Sequence, residues 1–186
     1  HRLDRVVQIL VDFTRPRELH IEDADLKLVL DEVVLLASPD AAQHGVRIVR
    51  QLPEEAIPVK VDVDLIKQAM LNVVINGVQA MPEGGTLTIT ARRDEDTIVT
   101  EIRDEGMGIP AAVQEKVFEL YFTTKKAGSG IGLAQTYQIM QWHYGSVDFE
   151  SQEGKGTAFH LRLPLGETRS PASEDMASDA VLARKN

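Results

Sequence analysis

The chain has 186 residues, 43% hydrophobic and 26% charged, so it can bury a sizeable core and lacks the composition of a disordered polymer. Its 20 Lys and Arg against 29 Asp and Glu leave a net charge of −9, without the basic excess that a general nucleic-acid binder needs. The lack of cysteine excludes disulfides, thiolate zinc sites and cysteine nucleophiles, and no apolar run approaches the ~20 residues of a membrane-spanning helix.

In chain order, Leu3, Val6, Val7, Leu10 and Phe13 recur at helical spacing until Pro16 ends the pattern. A helix that opens at His1 without an N-cap is expected to continue a longer one, so residues 1–16 read as a helical piece in front. Asp25 can cap a helix carrying Leu26, Val29, Leu30, Val33, Val34 and Ala37, which ends near Gly45. Val46–Leu52 and Pro58–Asp62 read as short strands around a Pro-containing turn, and Asp64 opens a long helix to about Met81. Thr86–Arg93 and Thr97–Arg103 alternate as strands joined by an acidic turn at Asp94–Asp96. Pro110 suits the first turn of a short helix, and another helix runs from about Gly132 to Trp142. The last strands, Ser146–Ser151 and Thr157–Pro164, flank a Gly-rich turn. Residues 166–186, rich in Ser, Ala and acidic side chains without periodicity, are expected to form a flexible tail. Residues 17–165 thus predict an α/β layout with helices packed on a sheet.

Three clusters carry chemistry. Asn72 and Asn76 lie four apart on one helix face, extended by Gln68 and Gln79 among apolar neighbours. Such amides either cap neighbouring loops or serve a ligand, and an amide oxygen is a hard neutral donor suited to Mg²⁺. Asp104, Glu105, Gly106, Met107 and Gly108 follow a strand; an Asp there can accept from an exocyclic amine, although the same composition makes an ordinary turn. Gly128, Ser129, Gly130, Ile131 and Gly132 lead into a helix, where exposed amides and the helix dipole suit an anion, while a flexible linker is the alternative. The run is neither a Walker A loop nor a dinucleotide fingerprint, since Leu133 stands where the third glycine belongs.

Taken together and in this order, the segments resemble sensor histidine kinases: Asn72–Met81 the N box, Asp104–Ile109 the G1 box, Val117–Lys125 the F box and Gly128–Ala134 the G2 box. The Gln79-to-Met81 and Phe122-to-Lys125 endings are similar to those of the nitrogen-regulation class. The resemblance implies the Bergerat (GHKL) ATP-binding fold shared with gyrase, Hsp90 and MutL. This is an α+β sandwich with a mixed sheet covered on one face by helices, preceded here by part of the second helix of a dimerisation hairpin at residues 1–16. It implies ATP and Mg²⁺ as cofactors, with Asn72, Asn76 and Lys125 catalytic. By the same resemblance Asn76 holds Mg²⁺ and Asn72 serves the same metal–phosphate region. Asp104 reads the adenine amino group, with Gly106, Gly108 and the Thr157 hydroxyl beside it. Thr123, Thr124 and Lys125 or Lys126 approach the phosphates. Gly128, Ser129, Gly130, Ile131, Gly132 and Leu133 form a mobile lid, with Phe118 and Phe122 at its base. Gln79 stands where many members carry a phosphate-contacting Lys, Ala80 where some stack an aromatic ring, Gly77 for the usual Ala and Leu120 for a frequent Pro.

Where the hydrolysing branches carry a Glu that activates water, this chain has Asn72, and an amide is no general base near neutral pH. That suits transfer to a histidine elsewhere, although nearby acidic residues could support hydrolysis. None of the five histidines, His1, His20, His44, His143 and His160, has the acceptor context of the family, so the acceptor is expected upstream. The resemblance implies as partners the chain's own dimerisation and phosphoacceptor domain and a response-regulator receiver domain, in a homodimeric parent, with no nucleic acid. It implies a cytoplasmic location for this domain, in a parent protein open to membrane anchoring. A nucleotide-sensing pseudokinase module and a GHKL-type ATPase are the alternatives.

Overall fold

Asp25 ends one element and caps the next. The computed structural model describes residues 18–125 and 128–165; the expected helical piece at 1–16, the tail at 166–186 and Lys126 lie outside the described residues. Strand β1 (Glu22–Asp25) runs into helix α1 (Leu26–His44). The Asp25 carboxylate accepts from the amides of Lys27 and Ile57, both at 3.0 Å, so one side chain caps α1 and fastens the segment just before Pro58. Leu26, Val29, Leu30, Val33, Ala37 and Ala41 form the buried stripe of α1, and Gly45, at φ 66°, ends it with its amide turned back to Ala41 and Ala42.

Strand β2 (Val46–Gln51) follows, then β3 (Pro58–Val61), helix α2 (Val63–Gln79), β4 (Gly85–Asp94) and β5 (Thr97–Asp104). A 3-10 turn (Ala111–Lys116) after Pro110 takes the place of the expected short helix. Helix α3 (Gly132–Trp142) and strands β6 (Ser146–Gln152) and β7 (Gly156–Pro164) complete the order. Five strands form a mixed sheet in the order β2-β4-β5-β7-β6, with β2 parallel to β4 and the other pairs antiparallel. Strands β1 and β3 form a separate antiparallel pair. The apolar sheet face, with Leu87, Ile89, Ile102, Phe159 and Leu161, joins the apolar faces of α1 and α2 and the α3 residues Ile139 and Met140 in one core. The other face carries a charged group in which His160 lies between Glu101 and Asp148.

The stretch at β1 carries no strand pattern, yet it pairs with β3 over its whole length. One expectation needs correction. Helix α2 starts at Val63 rather than Asp64, because Asp62 is its cap, with one carboxylate oxygen accepting from the Leu65 amide and the other from the His20 amide. The Asp62 amide in turn donates at 3.0 Å to Nε2 of His143, a fully buried ring whose Nδ1–H donates to the Ile139 carbonyl at 2.8 Å. Both ring nitrogens are therefore committed in the neutral state.

Burial holds the His143 imidazole below its ordinary value of 6.5, against the pull of the Ile139 carbonyl and the Asp62 charge. In the window below 6.5 the unfolded chain binds the proton that the folded one refuses, so this contribution to stability is complete above that pH and is lost as pH falls through it. Urea unfolding of the wild type should show this decline. His143→Phe, which strands the Asp62 amide, should lose about 1–3 kcal/mol at pH 7.5 and flatten the decline.

Candidate functional site

Helix α2 buries Val73, Val74, Gly77 and Val78 and turns Asn72, Asn76 and Gln79 away from that face. Asn72 Nδ2 donates to the Gly132 carbonyl at 3.0 Å, tying α2 to the start of α3. Asn76 and Gln79 do something different. The ammonium of Lys125 donates to Asn76 Oδ1 at 2.8 Å and to Gln79 Oε1 at 2.9 Å.

Asn72, Asn76, Thr123, Thr124, Lys125, Gly128, Ser129, Gly130, Gly132 and Leu133 all line one cavity of about 720 Å³. Apolar side chains of Leu71, Ile75, Ile109, Val113, Val117 and Phe122 complete most of its wall. Helix α3 begins at this wall with no side-chain cap, so the amides of its first turn are left for a ligand or water. The loop between α3 and the 3-10 turn is closed at its base by the Tyr121 amide, which donates to the Gly130 carbonyl at 2.8 Å. Gly130 adopts φ 67°, and a Cβ there would meet the Tyr121 carbonyl carbon at 2.4 Å, so this position needs glycine twice over. Phe118 sits in an aromatic cluster, 5.8 Å from both Tyr137 and Phe149.

Asp104, Gly106, Gly108, Ile131 and Thr157 are not on the cavity wall. Asp104, Gly106 and Thr157 are joined by hydrogen bonds at the end of β5, and Gly108 packs against Gln152 and Glu153. Asp104, the last residue of β5, is buried opposite Thr157 of β7, and its Oδ1 accepts from the amides of Gly106 at 2.9 Å and Thr157 at 3.2 Å. Both donors act on the same oxygen, and Oδ2 faces the gap at Gly77, 3.5 Å from where a Cβ would stand. Burial pushes the Asp104 carboxyl above the usual aspartate range, while the Gly106 and Thr157 amides and the Lys125 charge draw it back. Burial also holds the Lys125 ammonium below the usual lysine range, against the charge of Asp104. At Gly106 any side chain would strike the Ala80 carbonyl oxygen, 2.5 Å from an added Cβ; the Met107 amide donates to that oxygen at 3.1 Å and docks the loop on the end of α2.

Two residues of the site are absent from the sequence reading. Ser151 accepts from the Ile109 amide at 2.8 Å and pairs with the Thr157 hydroxyl at 2.9 Å, so it joins the loop after Gly108 to the β6–β7 hairpin. His44 lines the cavity from the end of α1, its Nδ1 bound to the Asp40 carbonyl at 2.9 Å. Neither carries a local signal, since each reaches the site only through packing. For a divalent cation the donor set fits: Asn76 Oδ1 already accepts a cation, the ammonium of Lys125. Among the described residues no group of three His, Asp or Glu side chains is arranged to hold a metal ion, so further ligands would come from water and phosphate oxygens.

Residues 61–167, from the end of β3 through β7, match the family model described as histidine kinase-, DNA gyrase B-, and HSP90-like ATPase. The sensor histidine kinase ZraS of Escherichia coli (strain K12) is 34% identical over 169 residues, covering 90% of this chain and 36% of that protein. The chain covers 36% and 27% of the lengths of two curated relatives it matches. The nucleotide-free catalytic domain of the histidine kinase ThkA is 27% identical with a TM-score of 0.72, over 78% of this chain and 95% of that one. ThkA in complex with the response regulator TrrA shares the fold at 24% identity and a TM-score of 0.75, over 91% of this chain and 49% of that one.

The glycines of the Gly128–Gly132 run separate by role. Gly130→Ala should cost about 1–3 kcal/mol through its left-handed backbone and the Tyr121 collision. At Gly132 an added Cβ would make only ordinary contact, 3.5 Å from Asn72 Cγ. Gly132→Ala should therefore stay within about 0.5 kcal/mol of wild type. Thermal unfolding of the two variants side by side measures the difference.

Proposed function

The chain belongs to the family of histidine kinase-, DNA gyrase B-, and HSP90-like ATPases, and we propose that it is the ATP-binding catalytic domain of a two-component sensor kinase, transferring the terminal phosphoryl group of ATP to a histidine of a separate dimerisation domain. The observation that carries this reading is the make-up of the cavity: a lysine, two asparagines and the uncapped start of α3 face it, and no Asp or Glu is among its lining residues. Such a wall suits phosphates and, among the described residues, offers no carboxylate to activate water. A nucleophile supplied by another domain is the chemistry consistent with it.

In this reading Asp104 accepts from the adenine amino group with Oδ2, its other oxygen being fixed by the amides of Gly106 and Thr157. Gly106 and Gly108 give the base its room, and the Thr157 hydroxyl, paired with Ser151, borders the same pocket. Lys125 and the open amides at the start of α3 neutralise the phosphates, with Thr123, Thr124 and Ser129 as further donors. Asn76, with Asn72 beside it, would hold Mg²⁺, which when bound neutralises the phosphate oxygens and sets their geometry. The protein's share of catalysis is positioning and charge stabilisation, since phosphoryl transfer asks for little else.

The acceptor hairpin, a homodimeric parent and a response-regulator receiver domain are the proposed partners. ThkA, a histidine kinase of the same fold, forms a complex with the response regulator TrrA. Among the described residues no helix is long and apolar enough to cross a membrane.

Calorimetry tests the binding half of this proposal. Asp104→Ala should weaken ADP and ATP by about tenfold or more, because a buried acceptor and its partner donor are both lost. Asn76→Ala should weaken Mg²⁺-ATP more than metal-free ADP, and equal losses would make Asn76 structural. For transfer, γ-labelled ATP is incubated with the chain and an added dimerisation domain. Acid-labile, base-stable label on the added domain is expected, whereas steady phosphate release by the chain alone would point to an ATPase.

A further inference from the structure

One ammonium is shared by two amide oxygens on α2. Lys125 Nζ lies 2.8 Å from Asn76 Oδ1 and 2.9 Å from Gln79 Oε1. The two amides stand three residues apart on the helix, so their oxygens converge from successive turns onto a single point. A lysine ammonium is a compact point charge, the side chain closest in form to a small inorganic cation. Asn76 Oδ1 is also the oxygen assigned above to Mg²⁺.

We infer that Lys125 is a built-in placeholder for the divalent cation: in the free protein its ammonium occupies the Asn76 oxygen, and Gln79 is the positioning residue that holds it there. This inference rests on the reading of Asn76 as a Mg²⁺ ligand. Two cations on one oxygen repel, so Mg²⁺ can take Asn76 Oδ1 only as the ammonium leaves it. Free Mg²⁺ gives the departing ammonium no new partner, and the partly buried lysine would lose both its amide bonds. Nucleotide phosphates supply that partner. Metal and nucleotide therefore enter together, each favouring the other's binding, and the coupling is reciprocal. Gln79 makes the exchange costlier, because its oxygen holds the ammonium beside Asn76.

The test is calorimetric titration of the 186-residue chain with a non-hydrolysable ATP analogue across a series of Mg²⁺ concentrations. Gln79 is exposed on the last turn of α2, so Gln79→Leu leaves the core intact. In that variant the Mg²⁺ concentration giving half of the full enhancement, read against the variant's own metal-free affinity, should fall about three- to tenfold. Lys125→Met should lower the metal-free affinity about tenfold, by removing a charge from the phosphates, and should also lower the Mg²⁺ half-point. An unchanged or raised half-point in Gln79→Leu, in a wild type that responds to Mg²⁺, overturns the placeholder alone. A wild-type affinity indifferent to Mg²⁺ overturns the metal assignment of Asn76 and the placeholder with it.

Discussion

Everything in the site depends on how closely α2 lies on the sheet at Gly77. A methyl group there would stand 2.7 Å from Leu87 Cδ1, a terminal methyl, and 3.4 Å from Asp104 Cβ, so the helix passes the end of β5 at close contact. At that separation Asp104, at the end of β5, comes beneath the same helix whose other side carries Asn72, Asn76 and Gln79. The two halves of the site, a buried carboxylate and a row of amides, are thus held by one rigid element. The start of α2 is fixed as firmly, because Asp62 is bonded through its amide to His143 and through its carboxylate to Leu65 and His20.

The electrostatics follow from this placement rather than from overall composition. A chain of net charge −9 attracts no anion at long range, so the cavity works through local groups: one lysine, side-chain amides and the uncapped first turn of α3. Asp104 and Lys125 are both drawn toward their neutral forms by burial, and each charge offsets part of the other's desolvation. A carboxylate at one end and a cation at the other give the site a polarity matched to a ligand with a donor at its base and negative charge at its tail.

Much of this was legible in the order of residues. The helical stripes of α1 and α2, the Asp25 cap, the Gly45 stop and the alternation of β4 and β5 all come from local periodicity and capping chemistry, which a single segment carries within itself. The motif glycines were legible as a set, but not their separate tasks: Gly106 yields to the Ala80 carbonyl and Gly130 to Tyr121, while Gly132 meets nothing closer than ordinary contact. The start of α2 is not legible locally, because Asp62 and Asp64 are both able caps in isolation. The choice between them fell to His20 and His143, at sequence separations of 42 and 81 residues.

The sequence by itself determined which faces of which helices are polar, which turns need glycine and which residue types are available for phosphate and base. These depend on helix pitch and backbone sterics, which act within a few residues. Only the tertiary structure decided that the Asn72 amide goes to the Gly132 carbonyl, that the Lys125 ammonium rests on Asn76 and Gln79, that Ser151 joins the loop to the hairpin, and that His44 reaches the cavity from the end of α1. Each of these joins elements far apart in the chain, and a hydrogen bond forms only where packing brings donor and acceptor within about 3 Å, a distance that no local pattern encodes.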